Sequence, residues 1–383
     1  MKNKIIILII LFISACSSVP KIEKSESINT LIQKPEFNYK IKSLPKSIKI
    51  YFNQIDDESQ LPPEVQGFLA NSFAYSNKIS YKPKISFSNF KTEECINDVI
   101  KEDLIIVLNF ESSYKNIQKE QCLRFLPKSK TIYTSYDEDD LGFNNTFMIS
   151  REEEKNKLID HLSNSSERII LIDSKKTLDK EKIKKSLQAV RKEVVEKKTY
   201  SGDLSSQDMF AELLLVDRSQ ERKRKLSRRI TETINSDSRT REDVDTFFLS
   251  VDLQEARNLK PALDYISEND YEVYVLNSWQ TNSVYNSDDK DLFGTIHSDF
   301  PIMMPIAMPE IINEEKRSRE FAIGYDLYEI ILLKYGGINY RNYEYKGLSG
   351  KIVLKDSKAT VSYTHLRAHE TEADLVCRLL LEK

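Results

Sequence analysis

From Ile48 onward, short apolar runs alternate with longer charged runs of helical period, and nothing else in the chain restricts its fold as tightly. The apolar runs fall at Ile48–Asn53, Leu104–Phe110, Thr131–Thr134, Ile169–Asp173, Val194–Tyr200, Val244–Val251 and Val273–Leu276. Helices are expected at Pro63–Asn77, Lys115–Phe125, Arg151–Ser163, Lys180–Lys192, Gln220–Ser236, Leu253–Asn269 and Arg317–Lys334. A strand with one wet face alternates apolar and polar residues. These runs are mostly continuous, so both faces of their sheets must be covered. Strands alternating with helices of this length form βαβ units, and such units build parallel sheets. The expected class is α/β.

Two such halves follow one another, 48–150 and 151–278. A return segment, 279–360, is expected to contribute to both; it holds Asp291–Pro301, the Arg317–Lys334 helix and a hairpin-like stretch, GLSGKIVLKD, at Gly347–Asp356. This layout resembles the two-lobed type I periplasmic binding-protein fold, in which each lobe is a parallel sheet flanked by helices. Ligands of such sheets bind at the carboxyl ends of the strands. Ser112, Ser113 and Ser135 are the candidate cleft residues, as hydroxyls able to meet a ligand carboxylate, but no acid for an amine converges with them.

The chain begins with an export signal. Met1–Lys4 carries Lys2 and Lys4, Ile5–Ile13 is unbroken Ile, Leu and Phe, and Ser14 and Ala15 precede Cys16. A charged start, a short apolar core and small residues make a cleavable signal. The apolar core is too short for a bilayer, which needs about 20 residues. Ile13-Ser14-Ala15-Cys16 resembles the lipobox of bacterial lipoproteins, which implies lipidation of Cys16, cleavage after residue 15 and stable anchoring by several acyl chains. Ser17, rather than Asp, at the next position implies sorting to the outer membrane, by resemblance to enterobacterial lipoproteins. Residues 16–47 are polar, with Pro20, Pro35 and Pro45, and are expected to form the lipidated start and a tether.

Lys and Arg number 57 against 60 Asp and Glu, a formal charge of −3; removing Lys2 and Lys4 with the signal makes it −5. That mild balance gives no reason to expect a nucleic-acid partner. Cys95 and Cys122 flank Leu104–Leu108. Two free thiols are expected there, with a disulfide as the alternative, since a bridge demands close Cα atoms that spacing alone does not establish. Residues 361–383 differ from the Lys/Ile/Asn-rich body; they hold His365, His369 and Cys377. The stretch resembles translated adapter-like sequence, so it is expected to be non-native, and its histidines are not read as metal ligands.

No motif for catalysis emerges. Outside the tail only His161 and His297 remain, and no HExxH, G-x-S-x-G or P-loop pattern occurs. Asp288, Asp289 and Asp291 lack the EF-hand spacing and read as a solvated loop. The densest charge block is Arg218–Arg229. Its Arg222, Arg224, Lys225, Arg228 and Arg229 either coat a solvated helix or meet an anionic partner.

Thr240–Trp279 carries a more specific signal. Arg241, Asp243, Val244 and Asp245 lead into a strand. Gln254, Glu255, Ala256, Arg257, Lys260 and Pro261 form a helix, and Val273 and Tyr274 lie in the next strand. Asp291, Leu292 and Gly294, then Met148–Glu154, Ala322–Tyr328 and Gly347–Leu354 complete the set. Together these resemble the penicillin-binding protein activator lipoproteins (LppC-type) over about residues 48–360. The first lobe departs most, with Asn109-Phe110-Glu111 where the family has Gly-Pro-Leu. Some relatives carry a helical repeat domain before the α/β module; no room for one lies between the tether and Ile48. Most matched residues have a scaffold reading: Asp243 and Asp245 can bond local backbone N–H groups, Pro261 can kink its helix, and Gly294 and Gly350 suit turns with positive φ.

The resemblance implies a non-enzymatic outer-membrane lipoprotein that activates a class A peptidoglycan synthase from the periplasmic side. The class A penicillin-binding protein is the implied partner, and peptidoglycan a second candidate. No cofactor or metal is implied. The alternative is a receptor lipoprotein holding an amino acid or peptide between its lobes.

Overall fold

The run at Ile48 opens a sheet in which every residue has a face to fill. β1 (Ser47–Phe52) lies between β2 (Lys84–Asn89) and β3 (Leu104–Asn109), parallel to both. Ile48 and Ile50 enter one core with Leu104, Ile106 and Leu108, while Tyr51, Ile105 and Val107 enter another on the opposite face. This is why the run is continuous rather than alternating. The computed structural model describes residues 35, 37, 39–52, 61–89, 102–109, 123, 125–136, 143–163, 168–175, 180–202, 205–230, 239–267, 271–276, 290–303, 317–336, 342–356, 358–362 and 365–368.

β4 (Thr131–Tyr136) and β5 (Asn145–Ile149) extend the first sheet in parallel. Late in the chain β11 (Tyr343–Lys346), β12 (Lys351–Lys355) and β13 (Lys358–Ser362) complete it, in the order β11-β12-β13-β5-β4-β3-β1-β2. The second sheet has the order β14-β10-β9-β8-β6-β7, from β6 (Arg168–Ser174), β7 (Glu193–Tyr200), β8 (Thr246–Ser250), β9 (Glu272–Val275), β10 (Thr295–Asp299) and β14 (His365–Ala368). All its pairings are parallel except β10 with β14. Helices cover both faces. α2 (Arg151–Ser163) and α3 (Lys180–Ala189) pack on one face against Ile169, Leu171, Phe248 and Tyr274. α4 (Ser206–Leu213) and α6 (Leu253–Ile266) pack on the other against Ile170, Ile172, Phe247 and Leu249.

The first lobe is organised around α7 (Arg319–Tyr335), which is buried along nearly its whole length. It lies against α1 (Pro63–Ala74) with two glycines facing backbone. A Cβ on Gly67 would sit 2.0 Å from the carbonyl oxygen of Phe321, and one on Gly324 1.7 Å from that of Glu64. The buried Asn71 side-chain amide donates to the Tyr325 carbonyl at 2.7 Å. On the other side of α7, the buried Asp326 carboxylate accepts the backbone N–H groups of Leu348 at 3.0 Å and Ser349 at 2.6 Å. That contact holds the Gly347–Gly350 turn, which joins β11 to β12 as an antiparallel hairpin, in line with the hairpin expected at Gly347–Asp356. Gly350 takes φ +132° and Gly294 φ +76°, as their turns require.

The chain crosses from the second sheet to the first after β10. Asp299 there makes a buried bidentate pair with Arg319 at the start of α7, both bonds 2.8 Å. Phe300, Ile302 and Met303 then enter the first lobe's core.

Several expectations need correction. The span 16–47 does not remain outside the lobe as a tether throughout: Phe37, Ile41 and Leu44 are buried in its core, and the Ile41 N–H bonds the Lys78 carbonyl at 2.9 Å. An extended strap buries residues singly, so it leaves no periodic signal. The helix expected at Gln220–Ser236 begins earlier, as α5 (Val216–Ser227), after a separate α4. α6 runs through Pro261 as one helix. β2, β5, β10 and β13 were not expected. β2 is a polar-alternating edge strand, and β10 buries Thr295, His297, Ser298 and Asp299, which read as loop residues in sequence. Residues 365–368, in the span read as non-native, pair with β10.

Candidate functional site

Ligands of open α/β sheets bind at the carboxyl ends of the strands, so that edge of the second sheet is the place to look. β6 ends in Asp173 and Ser174, and both are buried. Lys197, on the neighbouring β7, approaches the Asp173 carboxylate at 3.3 Å and Glu181 at 3.1 Å. The Glu181 hydrogen bond, reinforced by Asp173, holds the Lys197 ammonium above its ordinary pKa. The Ser174 hydroxyl donates to Glu255 at 2.8 Å. Glu255 also accepts the Asp252 N–H at 3.0 Å, and the Asp252 carboxylate accepts the Glu255 N–H at 2.8 Å. This capping box starts α6 and ties it to β6. Among the described residues of this edge, Asp173 forms an ion pair with Lys197, and Ser174, Glu255 and Asp252 bond one another.

On the first lobe, Ser135 is buried, 4% exposed, at the end of β4 between Asn109 and Met148. Ser112 and Ser113 lie outside the described residues, so no serine cluster is formed among those described. Cys16, Cys95, Cys122, Cys377, Asp288 and Asp289 also lie outside them. The two histidines stand in unrelated places. His161 Nδ1 on α2 is 3.0 Å from the Tyr274 hydroxyl, and His297, on β10, lies 3.9 Å from Asp299. Among the described residues no group of three His, Cys, Asp or Glu side chains is placed to hold a metal ion. No described helix is long and apolar enough to cross a membrane.

The Arg-x-Asp motif acts as a clamp. The Arg241 guanidinium is bidentate to Asp243, both bonds 2.7 Å, and also reaches Glu196 on β7 at 3.0 Å and the Leu213 carbonyl at 3.4 Å. The Tyr271 hydroxyl donates to the Arg241 carbonyl at 2.9 Å. Alongside the expected bond to local backbone, its own N–H, the Asp243 carboxylate is thus engaged chiefly by Arg241. That hydrogen bond holds its pKa at about 2, below the ordinary value near 4. A folded-state pKa that is depressed adds stability above pH 4 and loses it as pH falls toward 2. Asp243 is 40% exposed, so screening limits the gain to below about 1 kcal/mol. Asp243→Asn is expected to melt about 2–3 °C lower at pH 6, with the difference vanishing at pH 2, as followed by circular dichroism.

The predicted basic block lies on α5 and the turn after it. Leu215, in a left-handed conformation (φ 59°), redirects the chain out of α4, and Val216 is the buried residue of α5. Arg222, Arg224, Lys225, Arg228 and Arg229 are all exposed. Lys225 pairs with Glu221 at 2.7 Å. The chain returns where it left: the Arg239 N–H bonds the Ser219 hydroxyl at 2.9 Å, and the Arg241 N–H bonds the Leu214 carbonyl at 3.0 Å. Residues missed in sequence are Leu226 and Ile230, 44% and 46% exposed within the same block. Their i, i+4 spacing reads as a core stripe until the fold shows that nothing described covers it.

No protein-family model and no curated protein matches the sequence. Solved structures do match. Full-length LpoA from Haemophilus influenzae superposes with a TM-score of 0.51 at 10% identity, over 87% of this chain and 58% of that one. The C-domain of the same protein, described as a regulator of PBP1A, superposes at 0.50 and 10% identity, over 85% of this chain and 97% of that one. An ABC transporter substrate-binding protein from Desulfitobacterium hafniense, in complex with leucine, superposes at 0.53 and 12% identity, over 87% and 99%. The chain has a type I periplasmic binding-protein-like fold. The chain spans little more than half of full-length LpoA, and at these identities the likeness is one of fold. These neighbours are a regulator and solute-binding proteins.

Proposed function

We propose that this chain is an outer-membrane lipoprotein, anchored through Cys16, that binds a class A penicillin-binding protein and activates its peptidoglycan synthesis without catalysing a reaction itself. The observation that carries this reading is the carboxyl edge of the second sheet. There, among the described residues, Asp173 pairs with Lys197, and Ser174, Glu255 and Asp252 are joined in hydrogen bonds that fix α6 to β6. A solute receptor needs a few well-placed polar groups at that edge. The fold shared with a PBP1A regulator supports the same reading, as does the family resemblance of residues 240–279. The matched residues, Arg241 with Asp243, Glu255 and Asp326 among them, hold the lobes in shape. Activation is then a matter of binding: a partner with higher affinity for the synthase's active state shifts the synthase toward that state.

The second reading, an amino-acid receptor, draws on the leucine-bound neighbour. One experiment separates the two. The chain from residue 17 onward is mixed with the organism's own class A synthases and lipid-linked precursor, and glycan polymerisation and crosslinking are followed. Faster synthesis with direct binding is the expected result. No binding to any class A synthase, with a thermal shift on adding amino acids, would replace the activator with the receptor.

A further inference from the structure

α5 is a helix that stands away from the lobe it belongs to. It buries Val216 alone at its start, and its chain returns beside the point of departure, through Arg239 to Ser219 and Arg241 to Leu214. A helix whose length is not used for packing earns little stability from its own lobe, since most helical stability comes from a buried face.

The two sides of α5 differ. Asp217, Glu221, Arg224 and Arg228 fall at i, i+4, i+7 and i+11, so acids and bases share one side, and Glu221 there pairs with Lys225. Arg222 and Leu226 on α5, and Arg229 and Ile230 in the turn after it, follow at i, i+4, i+7 and i+8 on the other side, which carries no acid of α5; the Ile230 N–H still bonds the Leu226 carbonyl at 3.1 Å. Among the described residues no carboxylate lies within ion-pair distance of Arg222 or Arg229. This side therefore presents two exposed aliphatic side chains beside two arginines. An apolar centre with Arg beside it is the composition of a protein–protein interface. Two aliphatic residues are too few for the broad apolar face that an interfacial membrane helix inserts.

We propose that the Arg222–Leu226–Arg229–Ile230 side of α5 docks on an acidic patch of the synthase with a small apolar centre. This rests on the activator reading above and assigns its contact face. Charge complementarity selects the occupant: a cationic rim speeds association and penalises basic surfaces.

The test uses the full-length protein, wild type and Arg222→Glu/Arg229→Glu, titrated against the synthase at about 50 and about 300 mM salt. Wild-type binding is expected to weaken with salt, and the variant to bind about tenfold more weakly at low salt with a flatter salt dependence. Arg224→Glu/Arg228→Glu is expected to lose less, and Leu226→Ser/Ile230→Ser to raise the dissociation rate. Melting curves check the fold; if charge reversal lowers the melting temperature, Arg222→Gln/Arg229→Gln carries the comparison. Wild-type binding that survives both Arg222/Arg229 variants would overturn the docking face and leave the activator reading standing. Equal loss from the two arginine pairs would overturn it too, as a general charge effect. Failure of the wild type to bind any class A synthase would overturn both proposals. Binding to anionic phosphatidylglycerol vesicles that the variant loses, with synthase binding intact, would replace the synthase by a membrane.

Discussion

Replacing Gly324 by alanine is expected to lower the melting temperature by roughly 10 °C, about 4 kcal/mol, although alanine is the better helix former by about 1 kcal/mol. The added methyl would sit 1.7 Å from the Glu64 carbonyl oxygen and 2.6 Å from its carbon. Overpacking a core usually costs about 1–3 kcal/mol, because side chains can turn aside. Here the obstacle is the backbone of α1, which moves only with the whole helix. Separating α1 from α7 stretches the buried bond from Asn71 to the Tyr325 carbonyl, 2.7 Å in the native lobe. It also opens the packing of Phe68 on Tyr328, whose rings meet edge to face at 5.1 Å. Gly67→Ala meets the Phe321 carbonyl at 2.0 Å and is expected to behave alike. The double variant is expected to cost at least about 1 kcal/mol less than the two singles together, since the first methyl opens space for the second. Urea unfolding of the four proteins measures this. A single variant within a degree of wild type would mean that the two helices do not meet backbone to backbone.

The lobes were legible where burial leaves a repeated mark. Leu104–Leu108 puts each residue into one of two cores, so its run is continuous, and Arg151–Ser163 places Leu158, Ile159 and Leu162 at helical spacing after a charged first turn. Legibility failed where burial is achieved one residue at a time. Phe37, Ile41 and Leu44 dock as a strap amid polar neighbours, so their stretch reads as linker. β10 buries polar side chains, and the guanidinium that pairs with Asp299 belongs to Arg319, 20 residues further on, so nothing local marks the stretch as buried. The candidate site divides similarly. The basic block and the Arg-x-Asp motif are visible as residue types, but their roles depend on tertiary placement. Arg241 reaches Glu196 and the Leu213 carbonyl, and no local pattern announces either contact. Leu226 and Ile230 carry the spacing of a buried stripe, and only the projection of α5 makes them surface.

On the anchoring proposed above, Cys16→Ser is expected to abolish palmitate incorporation entirely and leave the precursor uncleaved. Several acyl chains anchor stably because each buried methylene adds about 0.8 kcal/mol, and a single chain holds only marginally. The physical consequence lies in reach and local concentration. Because Pro35, Phe37, Ile41 and Leu44 are buried in the first lobe, no more than residues 17–34 lie between the proposed anchor and the domain. Eighteen residues extend at most about 65 Å, so an anchor at Cys16 would confine the lobes to a shell near the membrane. Exchanging the signal for one that releases a soluble periplasmic form separates anchoring from activation. In vitro, that form is expected to stimulate the synthase as well as the chain from residue 17 does. In cells it is expected to restore synthase activity only when overproduced, since confinement substitutes for concentration. Restoration at native expression would show that partner binding, through surfaces such as α5, supplies the localisation, and would reduce the lipid to an export tag.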